Sequence, residues 1–150
     1  MDFKNFFTTT LDTSAKVNRA IGSLWFPSIW LVIIYVLMTI NFITLNEQSI
    51  IPIIIYDPTT FNAQIIINLL LAALSVFFGW SAVHGKSIIS ALILLLWLST
   101  TLVLILLFVN VSIAFAVLVI VTLLSLIINV NGIRALAISR QQSLQNRRKF

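Results

Sequence analysis

The side chains able to do chemistry are few, and their positions limit what they can do. His84 is the single histidine and the one ordinary titrator near neutrality. It stands beside Gly85 and Lys86 in what reads as a turn between apolar stretches. The four acids are Asp2, Asp12, Glu47 and Asp57. Glu47 and Asp57 belong to a loop on the opposite side of the topology derived below, so a His/carboxylate metal site is disfavoured by geometry and no metal ligand is assigned. The chain has no cysteine, which excludes disulfides, thiolate metal sites and thiol nucleophiles. No nucleophile is grouped with a base, and no glycine-rich phosphate loop occurs. The reading is a protein that is not an enzyme and needs no cofactor.

The remaining polar groups lie in apolar surroundings. Asn41, Asn68, Asn129 and Asn131, with the run Ser99, Thr100 and Thr101, sit near or within long hydrophobic stretches. An amide in hydrocarbon bonds across helices for about 0.6 kcal/mol on average, and a hydroxyl can return to its own backbone carbonyl. These residues therefore read as structural glue. The functional alternative is a polar path along Asn68, Ser75 and Thr101.

The elements that must carry these residues follow from composition. Of 150 residues, 60% are hydrophobic and only 9% charged, with a mean hydropathy of +1.10. A soluble domain of this length cannot hide that much apolar surface. Four uncharged stretches, 24–45, 64–83, 87–108 and 111–133, each suffice to cross hydrocarbon, which needs roughly 20 helical residues. Backbone satisfaction in lipid requires that they be helices. The expected fold is an all-α integral membrane protein with four transmembrane helices arranged as two antiparallel hairpins. Residues 1–23 precede the bundle, 46–63 form an outer loop and 134–150 a basic tail.

Local signals punctuate the spans. Gly85 is expected to take a left-handed cap and Ser87 to cap the next helix. Asp57 followed by Pro58 suits a helix start upstream of the second apolar core. The third boundary, near Asn110 and Ser112, is weakly marked. Without it, residues 87–133 would run about 70 Å, more than twice the membrane thickness. The first apolar run is too long, and too far behind polar residues, for a cleaved signal.

Charge orients the chain. Lys4, Lys16, Arg19, Lys86, Arg134, Arg140, Arg147, Arg148 and Lys149 are all the basic residues, and four spans put every one on the same side. The positive-inside rule makes that side the cytoplasm and places both termini there; the expected location is a bacterial inner membrane. Trp25, Trp30, Trp80 and Tyr56 are expected at headgroup level, with Trp97 deeper.

In the second span Asn68, Ala72, Ser75, Gly79, Ala82 and Lys86 recur at helical spacing. Small residues on one face let another backbone approach closely. Ala114, Leu118, Val121, Ser125, Ile128 and Gly132 repeat the rhythm in the fourth span, so the expectation is a seam between spans two and four. Ile50, Ile51, Pro52, Ile53, Ile54, Ile55 and Tyr56 form an apolar loop too short to cross. It either rests at the headgroup boundary or docks a partner. Phe3, Phe6 and Phe7 suit an interfacial anchor. The tail residues Arg140, Arg147, Arg148 and Lys149 are expected to contact anionic lipid headgroups, and no nucleic-acid partner is expected, since no stacking aromatics are interleaved with them.

No span holds an acid, a base or a histidine, whereas ion-coupled transport ordinarily places one there. The expected role is a non-catalytic accessory or assembly subunit of a membrane complex, partnered by lipid and by a membrane protein or a second copy. A bacterial immunity protein against a membrane-acting toxin, and a passive channel or transporter component, are the alternatives.

Overall fold

A computed structural model describes residues 14–44, 58–108 and 113–147, and all regular structure among them is helical. In chain order the elements are α1 (Ser14–Gly22), α2 (Trp25–Thr44), α3 (Pro58–Val83), α4 (Ile88–Phe108) and α5 (Ile113–Arg147). Four helices are long and apolar enough to cross a membrane, which is compatible with a multi-pass protein. Their outward faces carry large apolar side chains: Ile89 and Leu96 are each 71% exposed and Leu107 69%, a surface suited to lipid rather than water.

The second long helix begins at Pro58, ahead of its apolar core, as the proline signal implied. Its expected cap Asp57, the apolar loop residues 50–56 and the 109–112 boundary lie outside the described residues, as do Phe3, Phe6 and Phe7. The basic tail extends the fourth apolar run, as its mix of Ala, Ile and Leu with arginines allows. The run continues as one helix to Arg147.

The segment before the first span contains a helix because Val17, Ile21 and Leu24 recur one turn apart and find a common apolar partner. They are buried together with Ala82, Ala91, Ala135 and Leu136 in one cluster, while Lys16, Asn18 and Arg19 face outward. α1 thus packs at one end of the bundle, chiefly against α5. Deeper in, Leu31, Leu94 and Leu98 form a second cluster, covered by Trp30, Tyr35, Phe78, Trp97 and Leu126.

The turn joining α3 to α4 corrects one expectation. The left-handed position is Lys86, at φ 48°, and Gly85 has a negative φ. Gly85 is needed for a different reason: a Cβ there would lie 2.7 Å from the Ser81 carbonyl oxygen. The turn wraps tightly over the end of α3, with the Ser87 N–H donating to the Ser81 carbonyl at 3.3 Å. Glycine is therefore used for close approach, and the positive φ falls on the next residue. A lysine in that region costs about 1 kcal/mol relative to glycine. Ser87 does cap α4, accepting from the Ser90 N–H at 3.2 Å.

A second correction concerns the small-residue faces. A Cβ on Gly79 would meet Ser28 and Trp25 of the first span's helix, and α3 makes its most extensive packing with α2. The stripe of the second span therefore meets the first span, not the fourth. Helical spacing reveals that a face is small but carries no information about which neighbour it admits.

Candidate functional site

Helix α2 is the centre of the polar contacts, tied by one side-chain hydrogen bond to each of the three other long helices. Ser28, fully buried, donates from Oγ to the Ser75 carbonyl of α3 at 2.6 Å. Trp30 donates from Nε1 to Thr122 Oγ1 of α5 at 3.0 Å. Tyr35 accepts through its hydroxyl from Trp97 Nε1 of α4 at 2.6 Å. Gly79 makes the first tie possible by letting α2 and α3 come close enough for a serine hydroxyl to reach a backbone carbonyl. The Thr122 hydroxyl itself donates to the Leu118 carbonyl at 2.6 Å, so its oxygen is oriented to accept the indole N–H.

Trp30, expected at the headgroup level, also packs inward. It is half-buried, and its N–H is consumed inside the bundle. An indole one and a half turns into an apolar helix needs an acceptor, and Thr122 supplies it. Trp97, midway along α4, is half-buried. It also packs edge-on against Phe78, with centroids 6.4 Å apart. We predict that Tyr35→Phe, which keeps the ring and deletes only the acceptor, lowers bundle stability by about 0.6 kcal/mol. Thermal unfolding in detergent checks this, and an unchanged midpoint would remove the tie from the account.

The remaining sequence candidates fall as follows. Asn68, Ala72, Ser75, Gly79 and Ala82 are all buried on one face of α3, and Lys86 beyond them is exposed. Asn68 accepts a hydrogen bond from Gln64 Nε2 one turn earlier, at 3.3 Å. Ser75 returns its hydroxyl to the Ala72 carbonyl at 2.7 Å. In α5, Ser125 and Gly132 are buried, Leu118, Val121 and Ile128 half-buried, and Ala114 exposed. The run in α4 bonds to its own helix: Ser99, Thr100 and Thr101 donate to the carbonyls of Leu95, Leu96 and Trp97. Each hydroxyl is thereby satisfied four residues back.

Asn129 differs from all of these. It is fully buried, and neither its amide nitrogen nor its amide oxygen has a hydrogen-bond partner. An amide so placed bears a desolvation penalty of about 1–3 kcal/mol.

His84 is held by rings rather than by ions. It stacks on Trp80 at 5.6 Å and 24° and meets Trp25 edge-on at 6.0 Å and 70°. Beside it, Ser90 donates to Ser81 Oγ at 2.9 Å and stands 3.1 Å from Ser87 Oγ, pinning the start of α4 to the end of α3. Among the described residues no group of histidines and acids able to hold a metal occurs. Arg140 is exposed on α5 and Arg147 closes that helix; Arg148 and Lys149 lie outside the described residues, as do Ile50, Ile51, Pro52, Ile53, Ile54, Ile55 and Tyr56.

Sequence reasoning missed Ser28, Tyr35 and Thr122. The available signal was weak: a hydroxyl in each apolar run, at depths that an antiparallel packing can bring level with an indole.

No protein-family model, curated protein or solved structure matches the chain.

Proposed function

We propose that the protein is a non-catalytic, multi-pass accessory or assembly subunit of a membrane complex, with lipid and a membrane protein or a second copy as its neighbours. The observation that carries this reading is how the polar side chains inside the bundle are used. Ser28, Trp30, Tyr35, Ser75, Trp97 and Thr122 spend their hydrogen bonds on holding helices together or on their own backbones, while the outward faces are left apolar. A helix bundle built in this way offers packing surface. Asn68, Ser75 and Thr101, the residues of a conceivable solute path, are buried and bonded within their own helices, which favours the packing role over conduction.

The orientation we propose puts both termini and all nine basic residues on the cytoplasmic side of a bacterial inner membrane, following the positive-inside rule. A reporter fused after Phe150 is expected to be active only in its cytoplasmic form. Purification in mild detergent followed by mass spectrometry tests the functional reading: a stoichiometric membrane-protein partner, or a stable homo-oligomer, is the expected result. Recovery of the chain as a partnerless monomer would overturn it.

A further inference from the structure

We propose that the end of the bundle bearing α1 holds a binding site for the phosphate headgroup of an anionic phospholipid, centred on Lys86. The inference rests on the membrane reading but is independent of any role in a complex.

Three features of this end converge. The cluster of Val17, Ile21, Leu24, Ala82, Ala91, Ala135 and Leu136 draws together the end of α1, the α3–α4 turn and the middle of α5. Ala20, Val83, Ile88 and Ile133 pack against it. These residues are close chain neighbours of Arg19, Lys86 and Arg134, all three of which are exposed. The three cations therefore stand at the same end of the bundle as this apolar cluster. Three exposed cations at one end concentrate positive charge there, which is electrostatically suited to an external anion.

Lys86 supplies the second feature. It occupies a left-handed backbone position, φ 48°, which glycine would fill without strain. A strained residue with its charge held outward is a reason to look for a ligand at that place. The start of α4 lies immediately after it, where the helix dipole and the first amide groups favour negative charge.

The third feature selects a lipid over a free anion. On either side of the turn that holds Lys86, the last turn of α3 presents Trp80, 53% exposed, and the first turn of α4 presents Ile89, 71% exposed. A cation above an exposed apolar wall matches a molecule with a phosphate at one end and acyl chains at the other.

The test uses the full chain purified in mild detergent, with dioleoylphosphatidylglycerol, dioleoylphosphatidylcholine and inorganic phosphate as probes, and retained lipid counted by native mass spectrometry. Wild type is expected to hold the glycerol lipid about tenfold more tightly than the choline lipid, the scale of one charge-assisted contact. Lys86→Gly and Arg134→Gln are each expected to abolish most of that preference. Lys86→Gly should do so with an unfolding temperature no lower than wild type, which separates loss of the site from loss of the fold. No preference in wild type, or full preference in either variant, would overturn the proposal. Displacement of the lipid by excess inorganic phosphate would overturn it as well, by showing a free-anion site.

Discussion

Gly79→Ala is expected to destabilise the bundle by about 2–3 kcal/mol, the upper range for an added methyl with nowhere to go. The new Cβ would lie 2.5 Å from both Cβ and Oγ of Ser28. Ser28 Cβ is fixed to the α2 backbone, so relief requires the two helices to separate, and separation also breaks the bond from Ser28 to the Ser75 carbonyl at 2.6 Å. Gly132→Ala supplies the comparison. Its Cβ would meet Cγ of Leu24 at 2.5 Å and Cδ1 at 3.0 Å, atoms of a side chain that can rotate, and a cost of about 1 kcal/mol is expected. Gly22 has nothing within 4 Å, so Gly22→Ala should be neutral or slightly stabilising, by up to about 0.5 kcal/mol. Thermal or denaturant unfolding of the three variants in one detergent gives the order directly. If Gly79→Ala proved the mildest, the close approach of α2 and α3 would be refuted.

Asn129→Ala is expected to stabilise the protein, by about 1–2 kcal/mol. Deleting the amide relieves a buried donor and acceptor that lack partners, worth about 1–3 kcal/mol. The smaller side chain leaves a cavity of roughly 25 Å³, which costs about 0.6 kcal/mol, and alanine is the better helix former. The sum favours the variant. A loss of stability would instead mean that the amide is bonded in the membrane. If the variant is more stable yet fails to form the complex we propose, the asparagine is kept at the expense of stability, as polar groups serving a function often are.

The long helices could be read from the sequence because lipid imposes so strict a rule: an uncharged run of sufficient length has one satisfactory backbone conformation. What the sequence withheld was partnership. The face of Asn68, Ala72, Ser75, Gly79 and Ala82 was legible from spacing, but that Ser28 is the group lodged against Gly79 depends on the relative depth of two helices, which no local pattern encodes. The ties through Tyr35 and Thr122 were hidden for the same reason. At Lys86 the failure had another cause: glycine next to a helix end suggests a left-handed residue, and here Gly85 is required by the Ser81 carbonyl instead. α1 was underrated because nine residues cannot form a stable helix alone. Its apolar face becomes meaningful only against Ala135 and Leu136.

The unbroken course of α5 has a mechanical consequence. Its 35 residues span about 52 Å, some 20 Å more than the hydrocarbon layer requires. A continuous helix transmits tilt along its length, so a reorientation of the membrane portion by about 10° swings the far tip by about 3–4 Å. Arg140 and Arg147 therefore ride on a stiff lever whose fulcrum is the packing of Ala135 and Leu136 against α1, and a movement within the bilayer is delivered to that lever's tip without any hinge to absorb it.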